Sequence, residues 1–415
     1  MKPRWLIVVI LIGFTVIFLV DTSLGEEGGK PRTFLKKLEH LELAKKLWRN
    51  GNPVFGTNIR EVIIRADGAL KRGPYSLTQR KHKHHNGGGQ DFFAFGAYYW
   101  PNPNTRDGLP WVARDGRYNP ESSMDWDLLG HMSNDVEELA LAYYFTENEA
   151  YADHAALLLS TWFIDKDTRM NPNMNYGKVI PGIREGGFPV AGFGMVITRV
   201  YDSAGILERS SSWSDEDKKA MQEWTKCFLR WMQSSPYGKK ELATRNNHTT
   251  FYHVIWMLMS MYVGDFDGAK TALSSYITRL PEQFLPDGTQ PFEMMRNNNY
   301  RYHLINLEAA FDIAQMADHL GNIDVWNFKT GQDASLRKSV YFLMPYLTDQ
   351  KKWGYFKNET FMIPSRQRWV LLRRAAVGFN DWTFEKAAKA IVSGSDPFIE
   401  LSYPEVAVSG KPGRD

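Results

Sequence analysis

From residue 35 to about residue 392 the apolar side chains recur every three to four positions, a period that leaves room for little except helices. Leu35, Leu38, Leu41, Ala44, Leu47 and Trp48 mark a first amphipathic helix, and 59–70 a second. Over 125–144 one stripe runs through Leu128, Leu129, Met132, Val136, Leu139, Ala140 and Tyr143. The same period predicts helices over 148–163, 193–207, 214–232, 248–263, 267–280, 304–320, 336–347 and 382–392, with Ser214, Glu216 and Asp217 favouring a helix start. The alternating valine and threonine runs that signal strands are nearly absent. Ten or more helices without a β half predict one all-α domain over 26–395. Successive antiparallel helix pairs would close it into an (α/α) toroid, or incomplete barrel, whose groove is lined by helix ends and loops. No fixed-period repeat is visible, which argues against a regular solenoid. At 415 residues and 43% apolar content the chain can bury a core of that size.

Three stretches break the helical pattern. Residues 78–121 are rich in Gly, Pro, His, Asn and aromatics, and a segment that long without a period reads as a lid or binding loop. Residues 396–415 carry Pro404, Gly410 and Pro412 and read as an extended tail. At the start, Lys2 and Arg4 precede an apolar run over 5–20, ended by Asp21 and the small-residue pattern Ser23-Leu24-Gly25. Sixteen helical residues rise about 24 Å, short of a bilayer's hydrocarbon core. Residues 1–25 therefore read as a cleaved signal peptide. The mature chain is expected to start near Glu26, to be periplasmic or secreted, and to keep no membrane attachment.

A net charge of +3 is too balanced for a nucleic-acid binder. The single cysteine, Cys227, excludes an intramolecular disulfide and a Cys-based zinc cluster. His82, His84 and His85 lie in a Lys-rich run that reads as a solvated basic patch, and no metal-binding motif is present, so no metal and no cofactor is expected.

Four stretches could carry chemistry. The polar cluster 244–250 enters an apolar helix, where a carboxylate would meet free N–H groups and a positive dipole end; the plain alternative is capping by Asn247 or Thr249. In 292–303, two arginines stand beside two tyrosines and a histidine. A cation beside a phenol stabilises phenolate, so Arg296 or Arg301 could pin a carboxylate while Tyr300 or Tyr302 moves a proton. The alternative pairs Arg296 with Glu293 and leaves the tyrosines as packing residues. In the long loop, Tyr99, Trp100 and Arg114 combine flat faces with charge, suited to anionic sugars. In 168–176, Asn171, Asn173 and Tyr176 supply amides and a further ring, unless this is an ordinary interhelical turn.

Together these stretches resemble the alginate lyase superfamily of polysaccharide lyases. The similar features are Asp91-Phe92, Tyr99-Trp100-Pro101-Asn102-Pro103, Asp107-Gly108-Leu109-Pro110, Arg114-Asp115-Gly116 and Asn119-Pro120-Glu121. Further on come Thr168-Arg169-Met170-Asn171-Pro172-Asn173, Asn247-His248, and an arginine followed by Tyr302-His303. The resemblance implies the same (α/α) toroid and β-elimination on a uronic-acid polymer, alginate or glucuronan. It implies Tyr302 as base and acid, with Asn247, His248 and Arg296 around the uronate carboxylate. Tyr99, Trp100, Arg114, Asn171, Asn173, Tyr176, Tyr300, Arg301 and His303 are expected to bind substrate. The residue types suit that reaction, because the C5 proton is too weakly acidic until donors neutralise the adjacent carboxylate. A hydrolase using two carboxylates, or a binding protein without turnover, would be the competing classes.

Overall fold

The computed structural model describes residues 31–80, 88–122, 124–355, 363–391 and 395–408. The expected signal peptide, His82, His84 and His85 lie outside them.

The helices are α1 (Leu38–Arg49), α2 (Pro53–Ala69), α3 (Met124–Thr146), α4 (Glu149–Phe163), α5 (Val190–Leu207), α6 (Asp215–Ser234), α7 (Pro236–Leu242), α8 (Asn247–Tyr262), α9 (Phe266–Ile277), α10 (Leu280–Gln283), α11 (Pro291–Met294), α12 (Asn299–Leu320), α13 (Leu336–Leu347), α14 (Ser365–Gly378), α15 (Trp382–Lys389) and α16 (Pro397–Ser402). Helices α3, α5, α8, α12 and α14 pack each against the next. α5, α8 and α12 are buried on nearly every face. Helices α2, α4, α6, α9, α13 and α15 lie against that series, and α6, for example, buries one stripe and leaves the rest to solvent. This is the expected toroid: an inner series of helices backed by an outer one. α5 is long and apolar enough to cross a membrane, but most of it is buried inside the protein as an inner helix. Its Gly194 lets α8 approach closely, since a Cβ there would meet the Phe251 ring at 2.6 Å.

The ring is closed by chain ends. The Asp202 carboxylate on α5 accepts from the N–H groups of Phe34, Leu35 and Lys36 at 2.6, 3.0 and 2.8 Å, pinning the N-terminal segment across the helix. At the other end the structure corrects the expectation of an extended tail, because residues 397–402 form α16, which packs on α1 and α2. Arg373 donates to Glu400 at 2.7 Å, and His40 Nδ1 donates to the Ser402 carbonyl at 2.7 Å.

Two further differences bear on the site. α12 starts at Asn299, not 304, so the polar stretch before Leu304 is its first turn. The loop 78–121 carries short strands: β1 (Phe93–Phe95), β2 (Tyr99–Trp100) and β3 (Val112–Ala113). β2 pairs antiparallel with β3, and β1 pairs parallel with β4 (Tyr176–Val179). The loop is thereby held against the segment that precedes α5.

Candidate active site

The start of α8 is capped by Asn246, whose side chain accepts from the His248 N–H. Neither Asn247 nor Thr249 is the cap, so Asn247 is free for other work. Its backbone N–H and its Nδ2 donate to the two oxygens of Glu293, at 2.6 and 2.9 Å. That carboxylate is almost fully buried, and burial pushes its pKa up to about 7 against the pull of the Asn247 donors. The Asn247 amide is thus oriented with its nitrogen identified by an acceptor. His248 is fixed in the same way, with Nδ1 2.6 Å from Glu241 Oε2 on α7. Burial works to raise the Glu241 carboxyl, but the His248 bond together with the charges of His248, Lys178 and Arg184 holds it below its usual range.

Arg296, in the link from α11 to α12, faces these groups. Its Nη2 donates to Asp115 Oδ1 at 2.8 Å and to the Tyr302 hydroxyl at 2.8 Å, and its guanidinium carbon lies 3.8 Å from the Tyr302 ring centre. The Tyr302 hydroxyl in turn donates to Tyr98 Oη at 2.8 Å. Asp115 comes from the long loop and also accepts from the Asn297 N–H at 3.2 Å. Gly116 follows it at φ 83°, a left-handed turn that suits glycine. Burial raises the Asp115 carboxyl, yet Arg296 and the backbone donors hold it below its usual range. For Tyr302 the balance goes the other way. Burial and the neighbouring Tyr98 raise its pKa well above that of a free phenol, and Arg296 only partly opposes them. Against the expectation that the arginine pulls this phenol down toward neutral pH, the balance here is upward, because burial dominates and the guanidinium is shared with Asp115.

These groups line one cleft of about 790 Å³. The structure brings Tyr302, Arg296, Asn247, His248, Tyr99 and Arg301 together in its walls, with Tyr98, Asp115 and Lys178. Other expected substrate residues are not among the lining. Tyr300 stacks on Trp353 with ring centres 4.7 Å apart, and its hydroxyl is buried with no hydrogen bond. His303 is fully buried; its Nδ1 donates to the Asn299 carbonyl at 2.9 Å, and burial pushes its pKa down to about 4. Both lie on the face of α12 that packs against protein. Trp100 donates through Nε1 to the Arg117 carbonyl and is stacked by Arg114 at 5.4 Å, so both serve the loop itself. Asn171 is tied to Asp91 at 2.8 Å, Asn173 accepts from the Asn175 N–H at 3.1 Å, and Tyr176 pairs through its backbone with β1. The 168–176 stretch is thus a turn that anchors the loop.

The residues not anticipated as part of the site are Tyr98, Asp115, Lys178, Glu241 and Glu293. For Asp115 a signal existed, since an Asp-Gly pair in an aromatic loop marks a turn that could present a carboxylate. Among the described residues no group of three His, Cys, Asp or Glu side chains is placed to hold a metal ion.

The cleft and the fold can be set against known proteins. No curated protein matches the chain in sequence. A solved alginate lyase from Bacteroides ovatus is 30% identical, covers 90% of this chain and 99% of its own, and superposes with a TM-score of 0.84. Alginate lyase A1-III from Sphingomonas species A1, 14% identical over 88% of this chain and 94% of its own, shares the fold at a TM-score of 0.55. A variant of alginate lyase A1-III solved with a tetrasaccharide, also 14% identical, covers 81% of this chain and 88% of its own at the same score. The alginate lyase family itself matches residues 76–353, which include every cleft residue named above. The chain belongs to the alginate lyase family, and it is a polysaccharide lyase.

Proposed function

We propose that this lyase cleaves mannuronate-rich alginate by β-elimination, with Tyr302 moving the proton and Asn247, His248 and Arg296 receiving the uronate carboxylate. One observation carries the assignment of roles: the Tyr302 hydroxyl accepts a 2.8 Å hydrogen bond from Arg296 in the same cleft as the oriented Asn247 amide and His248. The names of the Bacteroides and Sphingomonas proteins support alginate as the polymer.

In the proposed reaction the Tyr302 phenolate takes the C5 proton. The C5–H electron pair becomes the C4–C5 double bond, the C4–O bond breaks, and the departing oxygen takes the proton back from Tyr302. Mannuronate presents its C5 proton and C4 oxygen on one face, so a single phenol serves both steps. Donors from Asn247, His248 and Arg296 stabilise charge that develops on the carboxylate as the proton leaves. The raised pKa of the resting phenol means that phenolate is scarce near neutral pH, so the rate should climb as pH rises from 7 toward 9.

The test is ultraviolet absorbance, which rises only when elimination creates an unsaturated uronate, on polymannuronate, polyguluronate and glucuronan. The expected result is the fastest rise on polymannuronate. A faster rise on glucuronan would move the substrate assignment, and reducing ends without absorbance would overturn elimination. We also propose export with residues 1–25 removed, supported by the basic start and short apolar run. N-terminal sequencing should then begin near Glu26, and an intact Met1 would overturn it.

A further inference from the structure

Lys178, on β4, lines the cleft with Tyr302, Arg296 and His248. It is half-buried, and the structure gives its ammonium no hydrogen bond or ion pair, unlike the other charges deep in this wall. Arg296 is committed to Asp115 and Tyr302. Glu241, the carboxylate that acts on Lys178, is bonded to His248. Burial lowers the Lys178 pKa, and Arg184, Lys240 and Arg296 add to that, with Glu241 opposing. Such an ammonium has only the through-space attraction of Glu241 in the folded protein, and an anion entering the cleft would meet a charge with no hydrogen bond to give up. Its position is also fixed. A Cβ on the preceding Gly177 would meet Pro189 Cδ at 2.7 Å, and one on Gly187 would meet Lys178 Cβ at 3.1 Å, so the strand that carries Lys178 is closely packed on two sides where glycine leaves room. The placement therefore rests on backbone packing and does not wait for a ligand.

The polymer in question carries one carboxylate on every sugar, whereas elimination needs donors on only one. We propose that Lys178 is a specificity residue that holds the carboxylate of a uronate neighbouring the one that loses its C5 proton, selecting chains charged on consecutive sugars. This rests on the lyase reading of the cleft. A contact to a neighbouring sugar is made alike before and during the chemical step, so it strengthens binding and leaves turnover at saturation unchanged.

The experiment compares wild type, Lys178→Met and Lys178→Arg on polymannuronate by ultraviolet absorbance, and measures trimannuronate binding by calorimetry with each Lys178 state in a Tyr302→Phe background. Lys178→Met should raise KM and weaken trimannuronate binding about tenfold, with kcat within about twofold. Lys178→Arg should recover most of the loss. Wild-type KM should rise at alkaline pH as the ammonium loses its proton, and the Lys178→Arg enzyme should lose that rise. Unchanged KM and unchanged binding in Lys178→Met would overturn the proposal, as would a fall in kcat at constant KM. If wild type yields no unsaturated product from any polymer, it is the lyase mechanism that fails, and the calorimetry alone decides the role of Lys178.

Discussion

Two cavities among the described residues lie along the inner helices, and they use charge in opposite ways. The cleft takes Gly192 and Met195 from α5 and Arg301, Tyr302 and Ile305 from α12. A second cavity of about 440 Å³ lies further along the same helices, with Met195, Thr198 and Arg199 from α5 and Glu308 and Asp312 from α12. Met195 belongs to both. In the second cavity the charges, Glu308 apart, are paired in place: Lys36 and Arg199 on Glu137 at 2.8 and 3.4 Å, Arg374 on Asp312 at 2.6 Å, and Arg366 on Asp396. In the cleft, Lys178 has no hydrogen bond or ion pair, Arg301 is exposed, and the Tyr302 proton lies on a chain of hydrogen bonds. The number of charges does not separate a functional cavity from a structural one. What separates them is whether the charges are already spent on each other.

Four substitutions probe that contrast. Tyr302→Phe should have the largest effect, lowering kcat about 10³-fold, or about 4 kcal/mol of barrier, while trimannuronate binding changes only a few-fold. Activity within tenfold of wild type would remove Tyr302 from the chemistry. Arg374→Met in the second cavity should behave in the reverse sense. It strands Asp312 without its partner and should cost about 3 kcal/mol in denaturant unfolding, with kcat of the folded enzyme unchanged. A fall in kcat there would merge the two cavities into one functional unit.

Glu293→Gln should lower kcat about 10²-fold, or about 2.7 kcal/mol, because one amide oxygen replaces the two that accept from the Asn247 N–H and Nδ2, and the new NH2 would face one of those donors. Equal activity would mean that amide orientation does not matter. The smallest effect belongs to Glu308, whose carboxyl meets only the Gln367 amide at 3.4 Å and is pushed by burial from 4.5 up to about 7. A carboxyl with its folded pKa above the unfolded value contributes stability below pH 4.5 and loses it as pH rises through about 7. Glu308→Gln should therefore stabilise by about 1 kcal/mol at pH 8, after discounting for its partial exposure, and by nothing at pH 4. Melting curves at the two pH values check the sign.

The contrast also explains what could be read before the fold was known. Helices with an unbroken apolar stripe, such as α3, were legible because burial on one side imposes a period. α14 was not, because Arg366, Arg368, Arg373 and Arg374 interrupt its stripe and find their carboxylate and carbonyl partners only in three dimensions. The same holds for α16, a helix of six residues whose partners are α1 and α2 at the far end of the chain. Within the site, Asn247, His248, Arg296 and Tyr302 were legible through resemblance and residue type. Tyr300 and His303 were placed with them because neighbours in sequence share a motif, but on a helix they turn to another face. Lys178 and Glu293 carried no local signal, because a lysine on a short strand and a glutamate near an arginine look like surface residues until burial is known.

One link described above ties the loop to the chemistry. Asp115 belongs to the 78–121 segment, and it is the counter-ion of the guanidinium that touches Tyr302. A uronate entering the cleft would compete with Asp115 for that guanidinium, one anion exchanged for another. The exchange leaves the charge beside Tyr302 balanced, so the internal carboxylate acts as a built-in competitor: only a ligand able to displace it gains the arginine.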